Sequence, residues 1–73
     1  MSSVVVTGWK PGFDKIGMNR LLRDEFNYSL GEAKRAVDGM LENRELHLTP
    51  TPGSHDELAR KLEKLGAVFE AQS

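Results

Sequence analysis

The chain has 73 residues, with ten Lys and Arg against eleven Asp and Glu, and it contains no Cys. This length allows one domain, residues 1–73, near the lower limit of what folds unaided. The absence of Cys excludes disulfides and thiolate metal ligands, and a net charge of -1 does not favour a nucleic-acid binder. No apolar stretch approaches the ~20 residues that a membrane span needs. The N-terminus also lacks a signal-peptide pattern, so we expect a cytoplasmic protein without membrane contacts.

The first half of the chain predicts one strand and one helix. Residues 4–7 are all β-branched, which favours a strand. A loop containing Lys10, Pro11 and Gly12 follows, since Pro and Gly favour turns. Residues 15–26 then show helical spacing of their apolar side chains. These are Met18, Leu21, Leu22 and Phe26.

A second helix is predicted from Ser29 onward, after the break at Asn27 and Tyr28. Ser29 and Glu32 have the spacing of a capping box, in which each residue satisfies a free amide of the first helical turn. The helix would bury one apolar stripe against the sheet. This stripe comprises Leu30, Ala33, Val37, Met40 and Leu41.

The last part of the chain predicts a strand, a helix and a strand. Residues 45–48 alternate between polar and apolar, as in a half-buried strand. Residues 49–53 form a connector rich in Pro, and Ser54 with Glu57 repeats the capping-box pattern. The third helix would bury Leu58, Leu62 and Leu65 and stop at Gly66 in the left-handed conformation. Residues 67–71 complete the chain as a strand with Phe69 inward.

This order, β-α-α-β-α-β, predicts an α+β fold: a three-stranded antiparallel sheet covered on one face by three helices. Val68 and one side of residues 4–6 should then face away from the helices. Apolar residues on that open face could form a homodimer contact or could simply be tolerated at the surface.

One face of the first helix carries a basic row. Lys15, Asn19 and Arg23 follow one another at intervals of four residues, with Arg20 beside them. Such a row forms a positive strip on a near-neutral protein. The alternative is an ordinary solvated face, partly neutralised by Asp24 and Glu25.

The segment KIGMNRLLRDEFNYSLGEAKRAVDGM, residues 15–40, resembles the C-terminal domain of the bacterial large-subunit ribosomal stalk protein. The family shows a Lys, a helix with spaced basic residues, a short break, and then Leu-x-Glu-Ala-Lys-x-x-Val-Asp/Glu. The residues that match the second part are Leu30, Glu32, Ala33, Lys34, Val37 and Asp38. The resemblance implies the same element order and extends over nearly the whole chain.

The resemblance also implies a non-catalytic surface on the first two helices that contacts translation GTPases such as the elongation factors. Carried over by position, this surface comprises Lys15, Ile16, Asn19, Arg20, Arg23 and Lys34, with Met18 as a further apolar contact. Asn19 stands where the family usually has an aliphatic residue. The family's N-terminal dimerisation helices and hinge, which anchor it to the ribosome, have no counterpart here. We therefore expect a freestanding relative or an excised domain.

Two other protein-binding functions remain open. The ClpS-type protease adaptor shares a fold superfamily with the stalk C-terminal domain and binds the N-terminal residues of its substrates. In this chain a cleft beside Trp9 and Asp14 would bind them. Trp9 is a candidate loop anchor for any partner, or it closes the edge of a small core. An immunity-type protein that blocks another protein is the third hypothesis.

Catalysis and cofactor binding are not expected from these residues. His47 and His55 are the only imidazoles, and their spacing is not that of metal ligands. No nucleophile–base set, carboxylate pair or phosphate-binding glycine loop can be argued. We predict no catalytic residues, no metal and no cofactor.

Overall fold

The computed structural model describes residues 3–72, and its element order confirms the predicted β-α-α-β-α-β fold. Met1, Ser2 and Ser73 of the predicted domain lie outside the described residues. The elements are β1 (Ser3–Trp9), α1 (Lys15–Glu25), α2 (Leu30–Leu41), β2 (Leu46–Leu48), α3 (His55–Leu65) and β3 (Ala67–Gln72).

The three strands form one open antiparallel sheet in the order β2-β1-β3. The first strand of the chain is therefore the central one. Val4 pairs with Leu48 on one side and Ala71 on the other, and Val6 pairs with Leu46 and Phe69. This register places alternate β1 side chains on the same face as the inward residues of both neighbours.

All three helices pack on one face of this sheet. Val4 and Val6 of β1 are buried in a single cluster with side chains from every helix. Burial of these side chains stabilises the fold by ~25 cal/mol for each Å² of apolar surface removed from water. The helical members of the cluster are Met18, Leu21 and Leu22 of α1, Ala33, Val37 and Met40 of α2, and Leu58 and Leu62 of α3.

The open face of the sheet carries mixed side chains around Val5. Val5 lies in register with His47 and Glu70, so these side chains share its face. Val5 is nevertheless only 1% exposed. Val68, on β3, is 38% exposed, while its neighbour Phe69 packs on the core as expected. A homodimer contact through this face stays a prediction.

A β-bulge at Thr7 extends β1 beyond its predicted end. Val6 pairs with Phe69 and Gly8 pairs with the next residue of β3, Val68. Thr7 is therefore an extra residue in β1 without a pairing partner in β3. Pairing resumes and brings Trp9 opposite Ala67. The strand therefore continues for two residues past the predicted stop at Thr7.

The beginnings of the helices differ in how their free amides are satisfied. Asp14 caps α1 by accepting the Gly17 N–H at 2.9 Å. The predicted capping box of α2 is confirmed: Ser29 Oγ accepts the Glu32 N–H at 3.1 Å, and Glu32 Oε1 accepts the Ser29 N–H at 2.9 Å.

The capping box predicted for α3 is wrong. Ser54 does stand at the N-cap, but its backbone (φ -105, ψ 7) is not extended as a capping side chain requires. Its hydroxyl instead donates to the Thr51 carbonyl at 2.7 Å and lies 3.0 Å from the Thr51 hydroxyl. The Pro-containing connector thus uses Ser54 to close its own turn.

The junction between α3 and β3 holds the loop that leads into α1. Gly66 ends α3 in the predicted left-handed conformation, with φ 87. Its carbonyl accepts the Lys10 N–H at 2.8 Å, and the Leu65 carbonyl accepts the Asp14 N–H at 2.9 Å. The N-cap of α1 is therefore positioned by the end of α3.

We expect Gly66→Ala to destabilise the protein more than Gly12→Ala. Both positions have positive φ, 87 and 88, so each alanine costs ~1–2 kcal/mol of backbone strain. A Cβ at Gly12 meets nothing within 4 Å, whereas at Gly66 it lies 3.2 Å from the Phe13 Cα. For Gly66→Ala this backbone crowding should add ~1 kcal/mol or more to the loss of unfolding free energy, measured by urea unfolding. Equal losses would show that the Phe13 contact does not constrain the junction.

Candidate docking groove between the first two helices

A concave groove of about 320 Å³ runs along the outer side of the α1–α2 pair. Both helices pack on the sheet through their opposite sides, which leaves the residues between them at the surface. We call this feature the docking groove. Its lining residues are Lys15, Ile16, Asn19 and Arg23 of α1 and Leu30, Lys34, Val37 and Asp38 of α2.

The docking groove brings together most of the predicted contact residues. Lys15, Ile16, Asn19, Arg23 and Lys34 all line it. The basic row of α1 therefore faces Lys34 of α2 across one concave surface. Their role in binding a partner stays a prediction.

Two predicted contact residues lie elsewhere. Arg20 lines a second groove, between α1 and α3, because it projects from the other side of α1. Met18 is fully buried in the core, so the structure contradicts its assignment as a surface contact. The predicted row of Lys15, Asn19 and Arg23 thus lies in one groove, and the flanking Arg20 lies in the other.

Leu30 lines the docking groove, although its sequence pattern predicts a buried position. The apolar spacing of α2 predicts it in the buried stripe, but it is 65% exposed. As the first residue of α2 it precedes the part of the helix that packs on the sheet, and burial begins at Ala33. The sequence did contain a signal for the surface position of Leu30: it precedes Lys34 by four residues, and residues four apart share one helix face. Leu41, predicted in the same stripe, is half-buried.

Ile16 and Leu30 give the groove two apolar edges, one on each helix. Ile16 is 78% exposed, and the two are the most exposed large hydrophobic residues in residues 3–72. Single exposed aliphatic side chains are common. Two of them on facing helices, in the same groove as a basic row, form an amphipathic surface suited to another protein.

The basic residues of the docking groove are free of ion pairs within residues 3–72. The pairs found there join Arg44 to Glu42, His47 to Glu45, and Lys61 to both Glu25 and Glu57. Asp38 is the one acidic residue that lines the groove. The positive charges of the groove are therefore available to a partner.

The second groove holds the two acidic residues that could have neutralised the basic row. Asp24 and Glu25 line it together with Arg20, Lys61 and Lys64, in a volume of about 280 Å³. Lys61 Nζ donates to Glu25 Oε2 at 2.6 Å, and this hydrogen bond raises the pKa of Lys61. The pair ties α3 to the last turn of α1 and keeps the Glu25 carboxylate away from the docking groove.

Trp9, the candidate loop anchor, does not line the docking groove. It is 42% exposed and is the last residue of β1, next to the loop before α1. Asp14, at the far end of this loop, is engaged as the N-cap of α1. A contact role for Trp9 stays a prediction.

The comparisons with known proteins assign no family to the chain. No family model matches it, and no curated protein matches it significantly. Within residues 3–72, no group of three or more His, Cys, Asp and Glu side chains could hold a metal ion, and no helix is long and apolar enough to cross a membrane.

The capping box beside Leu30 predicts a specific pH dependence. Hydrogen bonds from the Ser29 backbone N–H and then its hydroxyl lower the pKa of Glu32 below the usual 4.5. A lowered folded-state pKa contributes stability at neutral pH that is lost as the pH falls from 4.5 through the lowered value. The stability difference between wild type and Glu32→Gln should therefore shrink over that window in urea unfolding.

Glu63→Gln is the control for this prediction, because the Glu63 carboxylate makes no hydrogen bond within residues 3–72. A difference between wild type and Glu32→Gln that stays constant in acid would contradict the assigned role of the capping box.

Proposed function

We propose that the protein is a non-catalytic interaction module that docks on a partner protein through the groove between α1 and α2. The observation that carries the proposal is the coincidence, in one concave surface, of unpaired basic residues and two exposed aliphatic side chains. The basic residues are Lys15, Arg23 and Lys34, and the aliphatic ones are Ile16 and Leu30.

The two kinds of side chain would perform different tasks in docking. Unpaired surface charges accelerate encounter with an oppositely charged partner and fix its orientation, with an effect that salt weakens. The aliphatic edges supply affinity, because burying apolar surface is the main favourable term in most protein association. A groove that combines them fits a partner surface with acidic residues around an apolar centre.

The partner we propose is a translation GTPase of the elongation-factor type, met in the cytoplasm. Support comes from the resemblance of residues 15–40 to the stalk C-terminal domain, whose implied contact surface coincides with the docking groove at five positions. The fold order that the resemblance implies is also the order of the protein.

We expect Arg23→Glu with Lys34→Glu to slow association with a purified bacterial elongation factor roughly tenfold at low salt, since steering by the groove is reversed. Salt should slow the association of the wild type, whereas for the variant it should have little effect or accelerate association, because the groove then repels an acidic partner. Neither residue makes an ion pair in residues 3–72, so the expected loss of melting temperature is limited to the helix-dipole interaction of Arg23. Biolayer interferometry at two salt concentrations measures the rates.

The matched control is Arg20→Glu with Lys64→Glu. Both of these residues line the second groove, and the charge change is the same. Each pair also contains one basic residue of a final helical turn, Arg23 in α1 and Lys64 in α3, so losses of helix-dipole stabilisation are matched. Equal slowing by both pairs, or no binding by the wild type, would refute the proposed site. Slowing by the second pair alone would move the contact to the side of Arg20.

A second candidate function is favoured by the exposure of Trp9. A ClpS-type adaptor would bind peptides beside this residue, at the end of β1. Titration with peptides that differ only in their N-terminal residue should then shift the Trp9 indole signal in NMR spectra selectively. An indole signal that stays unchanged with every peptide would rule out this function.

A further inference from the structure

Asn19 occupies an unusual position in the docking groove. It is half-buried in the lining, yet its side chain makes no hydrogen bond to any residue in the described range 3–72. No fully buried side-chain nitrogen or oxygen there lacks a partner, so the Asn19 amide must still reach water. A docked partner would remove that water.

Removing water from an amide has a cost that the partner must offset. Burying an amide without a replacement hydrogen bond costs ~1–3 kcal/mol in proteins. An aliphatic side chain placed over Asn19 would therefore weaken docking, even though Ile16 and Leu30 nearby favour apolar contacts. The groove selects for a hydrogen-bonding group at this point.

The neighbours of Asn19 indicate what that group is. Lys15, Asn19 and Arg23 are spaced four residues apart, so successive side chains start ~6 Å apart along the helix axis. Each can donate a hydrogen bond: an ammonium, an amide NH₂ and a guanidinium. A carboxylate over Asn19 would accept from the amide and be attracted by the cations on either side.

We infer that the docking groove recognises an amphipathic helix that carries a row of carboxylates, one per turn, with the middle carboxylate bound by Asn19. This inference rests on the proposed function, because it specifies the chemistry of the partner at the same groove. Asn19 is the residue that determines specificity in it, and the charged residues on either side supply attraction.

A helix fits the groove better than an extended segment. Side chains four residues apart on a helix repeat every ~6 Å, the same repeat as the donor row, and a groove between two helices accepts a third. Apolar side chains flanking the carboxylate row would then contact Ile16 on one edge and Leu30 on the other. Three carboxylates at this spacing span about two and a half turns, so a segment of about four turns carries the row with extra helix at its ends.

The test uses two synthetic helical peptides of about four turns that are identical except at the central groove-facing position, which is Glu in one and Leu in the other. Both keep the outer carboxylates and the flanking leucines. The isotope-labelled protein is titrated with each, and Kd is read from the amide shifts of α1 and α2. The wild type should bind the central-Glu peptide at least roughly tenfold more tightly, as expected for a hydrogen bond to a charged group.

Asn19→Leu supplies the second half of a double-mutant cycle. Leucine is a good helix former, and Asn19 lies outside the core cluster, so the variant should fold; its melting temperature checks this. The variant should lose most of the preference for the central Glu and bind the central-Leu peptide more tightly than the wild type does. Asn19→Ala should also lose the preference, which excludes an effect of side-chain size.

The results separate this inference from the proposed function. If the preference for central Glu is the same in wild type and Asn19→Leu, the basic residues alone cause it and the role of Asn19 is refuted. If neither peptide shifts the amides of α1 and α2, the helical carboxylate partner is refuted. In both cases the proposed docking function is retained if elongation-factor binding is weakened by the Arg23→Glu and Lys34→Glu substitutions. If the wild type does not bind the elongation factor, both the docking function and this inference are refuted.

Discussion

Burial of apolar side chains from every helix and every strand in one core cluster is the constraint on which the rest of the structure depends. The sheet contributes four buried side chains to this cluster: Val4 and Val6 of β1, Leu48 of β2 and Ala67 of β3. A domain of this size buries only about 60% of the surface that its unfolded chain exposes, so it has few apolar side chains to spare. The orientation of α1 and α2, and therefore the docking groove, is set by the burial of their inner sides in this cluster.

Against that constraint, the exposure of Ile16 and Leu30 is informative. A small fold gains most by burying its large aliphatic side chains, yet these two remain in water at facing positions on adjacent helices. Both stand at the N-terminal ends of their helices, near the caps formed by Asp14 and Ser29. The hydrogen bonds of those caps fix the helix starts and so help to hold the two groove edges in place.

Periodicity and cap chemistry predicted most of the fold, because both depend on neighbours in the chain. The first helix, predicted over residues 15–26 and found over Lys15–Glu25, arises from a local pattern, as do the Ser29–Glu32 capping box and the left-handed Gly66. The Ser54 prediction failed because its hydroxyl had a competing acceptor in the preceding turn, the Thr51 carbonyl. A capping-box pattern states what a side chain can do, and the backbone angles decide whether it does so.

The site was less predictable, because helical spacing tells which residues share a face but not which neighbour that face meets. Leu30 fits the apolar stripe of α2 by spacing, yet only tertiary packing shows that the sheet does not reach it. Arg20 and Arg23 are three residues apart and look like one basic strip, but Arg20 lies on the α3 side of α1 and Arg23 on the α2 side, in separate grooves. The central position of β1 in the sheet is likewise a property of strand order that no local pattern encodes.

The division of α1 into two sides also explains how a near-neutral protein presents a positive groove. The last turn of α1 contains Glu25, whose charge would offset the basic row if it projected toward α2. Lys61 binds this carboxylate at 2.6 Å on the α3 side, and Glu57 lies within 3.7 Å of the same ammonium. The compensating charges are thereby gathered between α1 and α3. The positive field of the docking groove is then a consequence of where the ion pairs form, and the net charge of -1 gives no hint of it.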